Sequence, residues 1–308
     1  MKVEPRKVRG TLREDAVNEV QRISATPARI RRHASSSIRH AIGLASSPLQ
    51  PCNDAAEAYF PVDGVARIVH GDLASMLVGG LGSLFFQMLH PHSMAGVAQH
   101  SRYKSDPRGR LLQTANFIGR TTYGSKSMAS ANIERVLAVH QAVRGVADDG
   151  ETYFANDPHL LAWVHACEVS MFLRAYQNFG ALSISANDAD AYVKEMATLA
   201  GDLGAESPPT TVDELDDRLE AYRPELRLSA DAVVARDFVT SGYMQTRQQR
   251  LVYRLLVDSA TALLTPWSRE LLEMPTKAIK NRVVVRPATQ AFCWTLRQAI
   301  PPPKRVTS

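Results

Sequence analysis

Apolar residues in this chain recur at intervals of three and four, and almost nowhere at intervals of two. Ile133, Val136, Leu137, His140 and Val143 follow one such stripe, and Leu161, Val164, His165, Glu168 and Phe172 follow another. That spacing places side chains on one face of a 3.6-residue helix, whereas a half-buried strand needs strict alternation. Arg282–Arg286 (RVVVR) is the single run that passes as a strand. The expectation is therefore an all-α protein, a single multi-helix domain over 51–308 preceded by a loosely ordered basic arm over 1–50.

Start signals divide the chain into helices. Asp63, Asp72, Asp106-Pro107 and Asp157-Pro158 can each open one. Proline is harmless in a first turn, where its missing N–H would have no helical partner. Asp63 would serve a helix through Val69, and Asp106-Pro107 one running through Phe117, with Thr121–Ser125 as a turn. Ser127 or Ser130 would cap the helix that carries His140. Gly145–Gly150 reads as a loop, with a strong turn at Asp148-Asp149-Gly150. Later helices start near Ser185, at Thr211 with Glu214 as a capping box, at Ser229 and near Thr246. The last starts near Pro275.

Leu73–Leu89 carries no charge over 17 residues. A membrane-spanning helix wants about 20 apolar residues. Gly79, Gly80, Gly82 and Gln87 favour a buried core segment here, with the glycines marking close helix packing. The 45% hydrophobic content supplies material for such a core.

Charge is unevenly placed. Residues 1–40 hold ten Lys/Arg and four acids, so they carry +6 of the net +5 and the rest of the chain is −1. A solvated tail is the plain reading of this arm. Weak peripheral contact with anionic membrane is the functional one. Aromatic residues are 7% and are not interleaved with the arm, which argues against a nucleic-acid surface. Cys52, Cys167 and Cys293 form no Cys-x-x-Cys pair and fit a reducing cytoplasm.

The chemistry-bearing residues lie inside the helical stripes. His140 sits one turn after Val136 on an apolar face. A lone histidine there is commonly a satisfied core residue, but it is also how a haem ligand is mounted. Arg110 and Thr114 share a face one turn apart on the preceding helix, and offer a cation and a hydroxyl. His165 and Glu168, three apart, resemble half of a carboxylate-bridged di-iron motif. No acid stands three residues before another histidine to complete it. Zinc-protease, nucleophile-elbow and phosphate-loop patterns are absent.

In this order the residues resemble the MpaB-type oxygenase family, which includes the latex-clearing rubber oxygenases. The resemblance spans about residues 60–285. It rests on Leu89-His90-Pro91, Asp106-Pro107-x-x-Arg110-x-x-x-Thr114, Val139-His140-x-x-Val143-Arg144-Gly145, Asp149-Gly150-x-x-Tyr153, Asp157-Pro158-x-Leu160-Leu161-x-Trp163-Val164-His165 and Leu264-x-Pro266-Trp267-x-Arg269. It implies a globin-like helical fold holding a b-type haem. His140 would match the proximal ligand, Arg110 and Thr114 the distal pair, and His165 with Trp163 would line the site. The implied reaction is dioxygen-dependent cleavage of carbon–carbon double bonds in an isoprenoid or other apolar substrate. Two departures stand out. Gln113 replaces the lysine that rubber-cleaving members place before the distal threonine, and Met94 stands where they carry a glutamate base. A haem- or lipid-binding helical protein without catalysis is the competing reading.

Overall fold

The computed structural model describes residues 51–302 apart from 243 and 245. The basic arm expected over residues 1–50 lies outside the described residues. The described chain is all-α save for one small hairpin. In chain order the helices are α1 (Val65–Gly71), α2 (Leu73–Gln87), α3 (Pro91–His100), α4 (Pro107–Tyr123), α5 (Lys126–Ala142), α6 (Pro158–Phe179), α7 (Ala186–Asp202), α8 (Val212–Ala221), α9 (Ala230–Ser241), α10 (Arg247–Leu263), α11 (Pro266–Leu271), α12 (Ala278–Lys280) and α13 (Arg286–Ala299). Strands β1 (Arg144–Val146) and β2 (Thr152–Phe154) lie between α5 and α6, and a 3₁₀ turn, Arg223–Glu225, follows α8.

The centre is the pair α2 and α6. They run closely along each other, and α10 and α13 close over the same pair. Glycine allows the approach: a Cβ on Gly79 would lie 2.7 Å from Phe172 Cδ1, and one on Gly82 would overlap Met171 Cε. Val78, Phe85, Phe86, Trp163, Met171 and Phe172 are buried in this core. Burying side chains of this size contributes about 1.5–3 kcal/mol each. No single helix among the described residues is long and apolar enough to cross a membrane. The consecutive pair α1–α2 reaches the length and composition only together, across an 89° bend.

Most helix starts use the side chains expected of them. Asp72, Asp106, Asp157, Ser185, Thr211, Ser229 and Thr246 each accept a backbone N–H in the first turn. Glu214, however, takes the N–H and hydroxyl of Thr210 and leaves Thr211 without the reciprocal bond of a capping box. Gly64, not Asp63, stands before α1, and Ser125 caps α5 in place of Ser127 or Ser130.

Three expectations are corrected, and one helix is new. Thr121–Tyr123 stay helical, with the Thr121 hydroxyl donating to the Phe117 carbonyl at 2.9 Å, so α4 extends to Tyr123. The new helix is α3, which the start signals did not mark and which Pro91 opens in its first turn. The stretch RVVVR is no strand: Asn281–Val285 form a π-helical turn that runs into α13. Val285 alone is buried there. The expected loop is instead the hairpin β1–β2, with Gly145 opposite Tyr153. Gly150, at φ +86°, supplies the left-handed residue of its turn. The hairpin docks on α3 through Gln99, whose side chain donates to the Val146 carbonyl (2.8 Å) and accepts from Tyr153 (2.8 Å).

Candidate functional site

Two helices joined by a tight corner bring Arg110 and His140 together. Gly124 and Ser125 separate α4 from α5, and the two helices pack against each other. Arg110 lies fourteen residues before the corner and His140 fifteen after it, and the fold brings the two near enough for their charges to interact. The Arg110 cation then helps to lower the proton affinity of His140, second to the effect of burial. Both effects hold the imidazole neutral, the form that binds a metal.

His140 is half-buried, its Nδ1 is enclosed, and neither ring nitrogen has a hydrogen-bond partner among the described residues. Arg110 likewise has no ion pair or side-chain hydrogen bond there. It is exposed by area, yet the surrounding protein lowers its proton affinity. Arg110 stays a cation regardless. Thr114 lies one turn on, exposed, with its hydroxyl donating to the Arg110 carbonyl at 3.2 Å. Removing the cation tests the coupling. Arg110→Met is expected to raise the His140 pKa, followed by NMR titration of its ring protons. An unchanged titration would leave burial as the sole cause.

His165 belongs to α6, and neither α4 nor α5 lies close along α6 as α2 does. Burial pushes its pKa down to about 4, and its Nε2 is enclosed without a partner. Leu161, Val164 and Glu168, at i, i+3 and i+7, form a partly exposed strip in the otherwise buried stretch 160–173 of this helix. That strip is apolar except for Glu168. Burial raises the Glu168 pKa to about 7, and no hydrogen bond or ion pair holds this carboxyl among the described residues.

Trp163 is placed differently. It is fully buried, donates Nε1–H to the Gln87 carbonyl at 3.2 Å, and packs against Phe86 and Tyr222. It belongs to the wall behind the strip. Met94 is also core-packed, and α3 carries no acid, so α3 supplies no carboxylate base. Glu168 was visible in the sequence as a charge on an apolar stripe and as the acid three residues after His165. Its burial without a hydrogen bond or ion pair among the described residues came from the fold.

A second group of titratable side chains lies at the start of α6. His159 Nε2 stands 3.0 Å from Glu225 Oε2, and His90 Nε2 stands 3.4 Å from the same oxygen. The ligand atoms of His90, His159 and Glu225 all fall within 4.8 Å of one another. Sequence reasoning did not find this group, because its members are 66 and 135 residues apart from Glu225.

The residues near Arg110 and His140 pass the chemical requirements for a haem or metal group: a neutral, unpartnered imidazole and an unpaired cation beside it, with half-buried Phe117 and Leu137 on the same two helices. Comparison with protein-family models matches residues 67–298 to the catalytic domain described as ER-bound oxygenase mpaB/B'/rubber oxygenase. Comparison with curated proteins and with solved structures gave no match. With about three quarters of its length covered, and the quoted motifs inside that span, the chain belongs to the MpaB/rubber oxygenase family of oxygenases.

Proposed function

We propose that this protein is a haem-b-dependent oxygenase acting with dioxygen on a hydrophobic, isoprenoid- or lipid-like molecule. The observation that carries the reading is the half-buried, neutral His140 imidazole, with no hydrogen-bond partner, beside the unpaired Arg110 cation. An enclosed polar atom without a partner costs roughly 1–3 kcal/mol, so such a ring is poor scaffolding and a good ligand.

In this reading His140 holds the iron through a ring nitrogen. Bound haem would supply the activation of dioxygen. Arg110 neutralises a carboxylate of the group, or negative charge that develops near it, and Thr114 offers a small hydroxyl one turn away. Leu161 and Val164 present apolar surface to the substrate, and Trp163 stiffens the wall behind them. His165 stays neutral at physiological pH. Gln113 cannot act as the cationic neighbour found in rubber-cleaving members, and Met94 cannot accept a proton. Glu168 is the carboxyl in α6 whose pKa allows it to hold or release a proton near pH 7. These differences point to an apolar substrate other than rubber itself.

The test compares haem content in His140→Ala and His165→Ala. Haem is quantified by absorption and the fold is checked by circular dichroism. His140→Ala is expected to lose haem by more than the roughly tenfold that follows loss of an outer-shell partner. His165→Ala is expected to keep most of it. Haem retained in the first variant and lost in the second would move the ligand to α6. A folded, purified chain that takes up no haem at all would overturn the reading.

A further inference from the structure

The geometry points to a second metal site: we propose that His90, His159 and Glu225 bind a divalent ion of the zinc class, independently of His140. The three residues come from three separate segments. His90 precedes α3 and is 3% exposed, His159 is in the first turn of α6, and Glu225 ends the 3₁₀ turn after α8.

Their spacing is that of a ligand set. Two atoms each about 2.1 Å from a tetrahedral ion lie about 3.4 Å apart. His90 Nε2 and His159 Nε2 stand 3.4 Å and 3.0 Å from Glu225 Oε2. Two imidazoles and one carboxylate leave a fourth position. The side chains of His159 (40% exposed) and Glu225 (43% exposed) give water access to it.

The surroundings orient these side chains as outer-shell partners do. His159 Nδ1 meets Glu206 Oε1 at 2.7 Å, which directs Nε2 toward Glu225. The Tyr222 hydroxyl donates to the His159 carbonyl at 2.7 Å, and its ring lies 4.6 Å from the imidazole. The backbone joins the other two segments: Arg227 N–H donates to the Leu89 carbonyl at 2.9 Å, next to His90.

A plain ion pair of His159 with Glu206 and Glu225 would explain His159 but not His90. The His90 ring is almost wholly buried, and its Nδ1 is enclosed without a partner. Its one polar contact among the described residues, at 3.4 Å, is longer than a good hydrogen bond. A bound ion gives Nε2 a close partner in place of that long contact. It also ties the α2–α3 corner and the turn after α8 to the first turn of α6, the helix that carries His165 and Glu168.

The experiment uses the full chain, stripped with chelator and dialysed. Zinc binding is followed by calorimetry and metal analysis, and the Co²⁺ form by visible absorption. One zinc per chain and intense tetrahedral Co²⁺ bands are expected. Glu225→Gln and His159→Ala, both at accessible positions, should weaken zinc binding at least tenfold, and Glu206→Gln about tenfold. His140→Ala should leave it unchanged. No stoichiometric zinc in the wild-type chain would overturn the proposal. Undiminished affinity in folded Glu225→Gln and His159→Ala would overturn it too, as would loss of zinc in His140→Ala alone.

Discussion

Asp72→Ala is expected to destabilise the fold by about 3–5 kcal/mol, the range found when one member of a buried ion pair is removed. Asp72 is 1% exposed and does more than begin α2. Its Oδ1 accepts from Ala74 N–H (3.2 Å), and its Oδ2 accepts from Ala181 N–H (2.8 Å) and from Arg297 (2.6 Å). Arg297 also donates to the Phe179 carbonyl at the end of α6. One carboxylate thus pins α13, the α1–α2 bend and the end of α6. Truncating it strands a mostly buried guanidinium and leaves two backbone N–H groups without partners. Urea unfolding of Asp72→Ala, Arg297→Ala and the double variant measures this. Each single change should cost several kcal/mol, and the double clearly less than their sum. A loss below about 1 kcal/mol in either single variant would reduce the pair to a surface-like contact.

The same residue shows how far the sequence reaches. Its role as a helix start is legible, because a carboxylate accepts first-turn N–H groups wherever the chain runs into a helix. Its pairing with a residue 225 positions later is not, because nothing local encodes it. The caps at Asp106, Asp157, Ser185 and Ser229 were readable for the first reason. The hairpin was hidden because three-residue strands carry too little alternation to register, although its turn was visible. Arg282–Arg286 misled for the opposite reason: β-branched residues favour strands in general, but tertiary context placed these at the head of α13. At the site, the placement of His140 on a helical stripe and the shared face of Arg110 and Thr114 were legible from spacing. The mutual approach of Arg110 and His140 followed from the corner at Gly124. The group formed by His90, His159 and Glu225 depended wholly on folding.

Acid should weaken this protein through histidines buried in the neutral state, and His165 gives the sharpest test. Its folded pKa, about 4, lies below the ordinary value of 6.5. His70, held between the Thr122 and Tyr192 hydroxyls at 2.8 Å and 3.0 Å, is lowered further, to about 3. Between these values and 6.5 the unfolded chain binds protons that the native chain refuses, so stability rises with pH across that window and is lost as pH falls through it. Glu168 acts in the opposite sense. Its folded pKa of about 7 exceeds the ordinary 4.5, so the native chain holds a proton that the unfolded chain releases, and this contribution falls as pH rises from 4.5 to 7. Each proton contributes a slope of about 1.4 kcal/mol per pH unit. Unfolding free energies at several values between pH 4.5 and 6.5 should therefore separate the two. His165→Gln should make stability rise less steeply with pH, by about that amount, and Glu168→Gln should make it rise more steeply by about the same. Parallel pH profiles for wild type and His165→Gln would mean that His165 is protonated as readily in the folded chain as in the unfolded one. It would then not be the neutral imidazole that its burial in α6 requires.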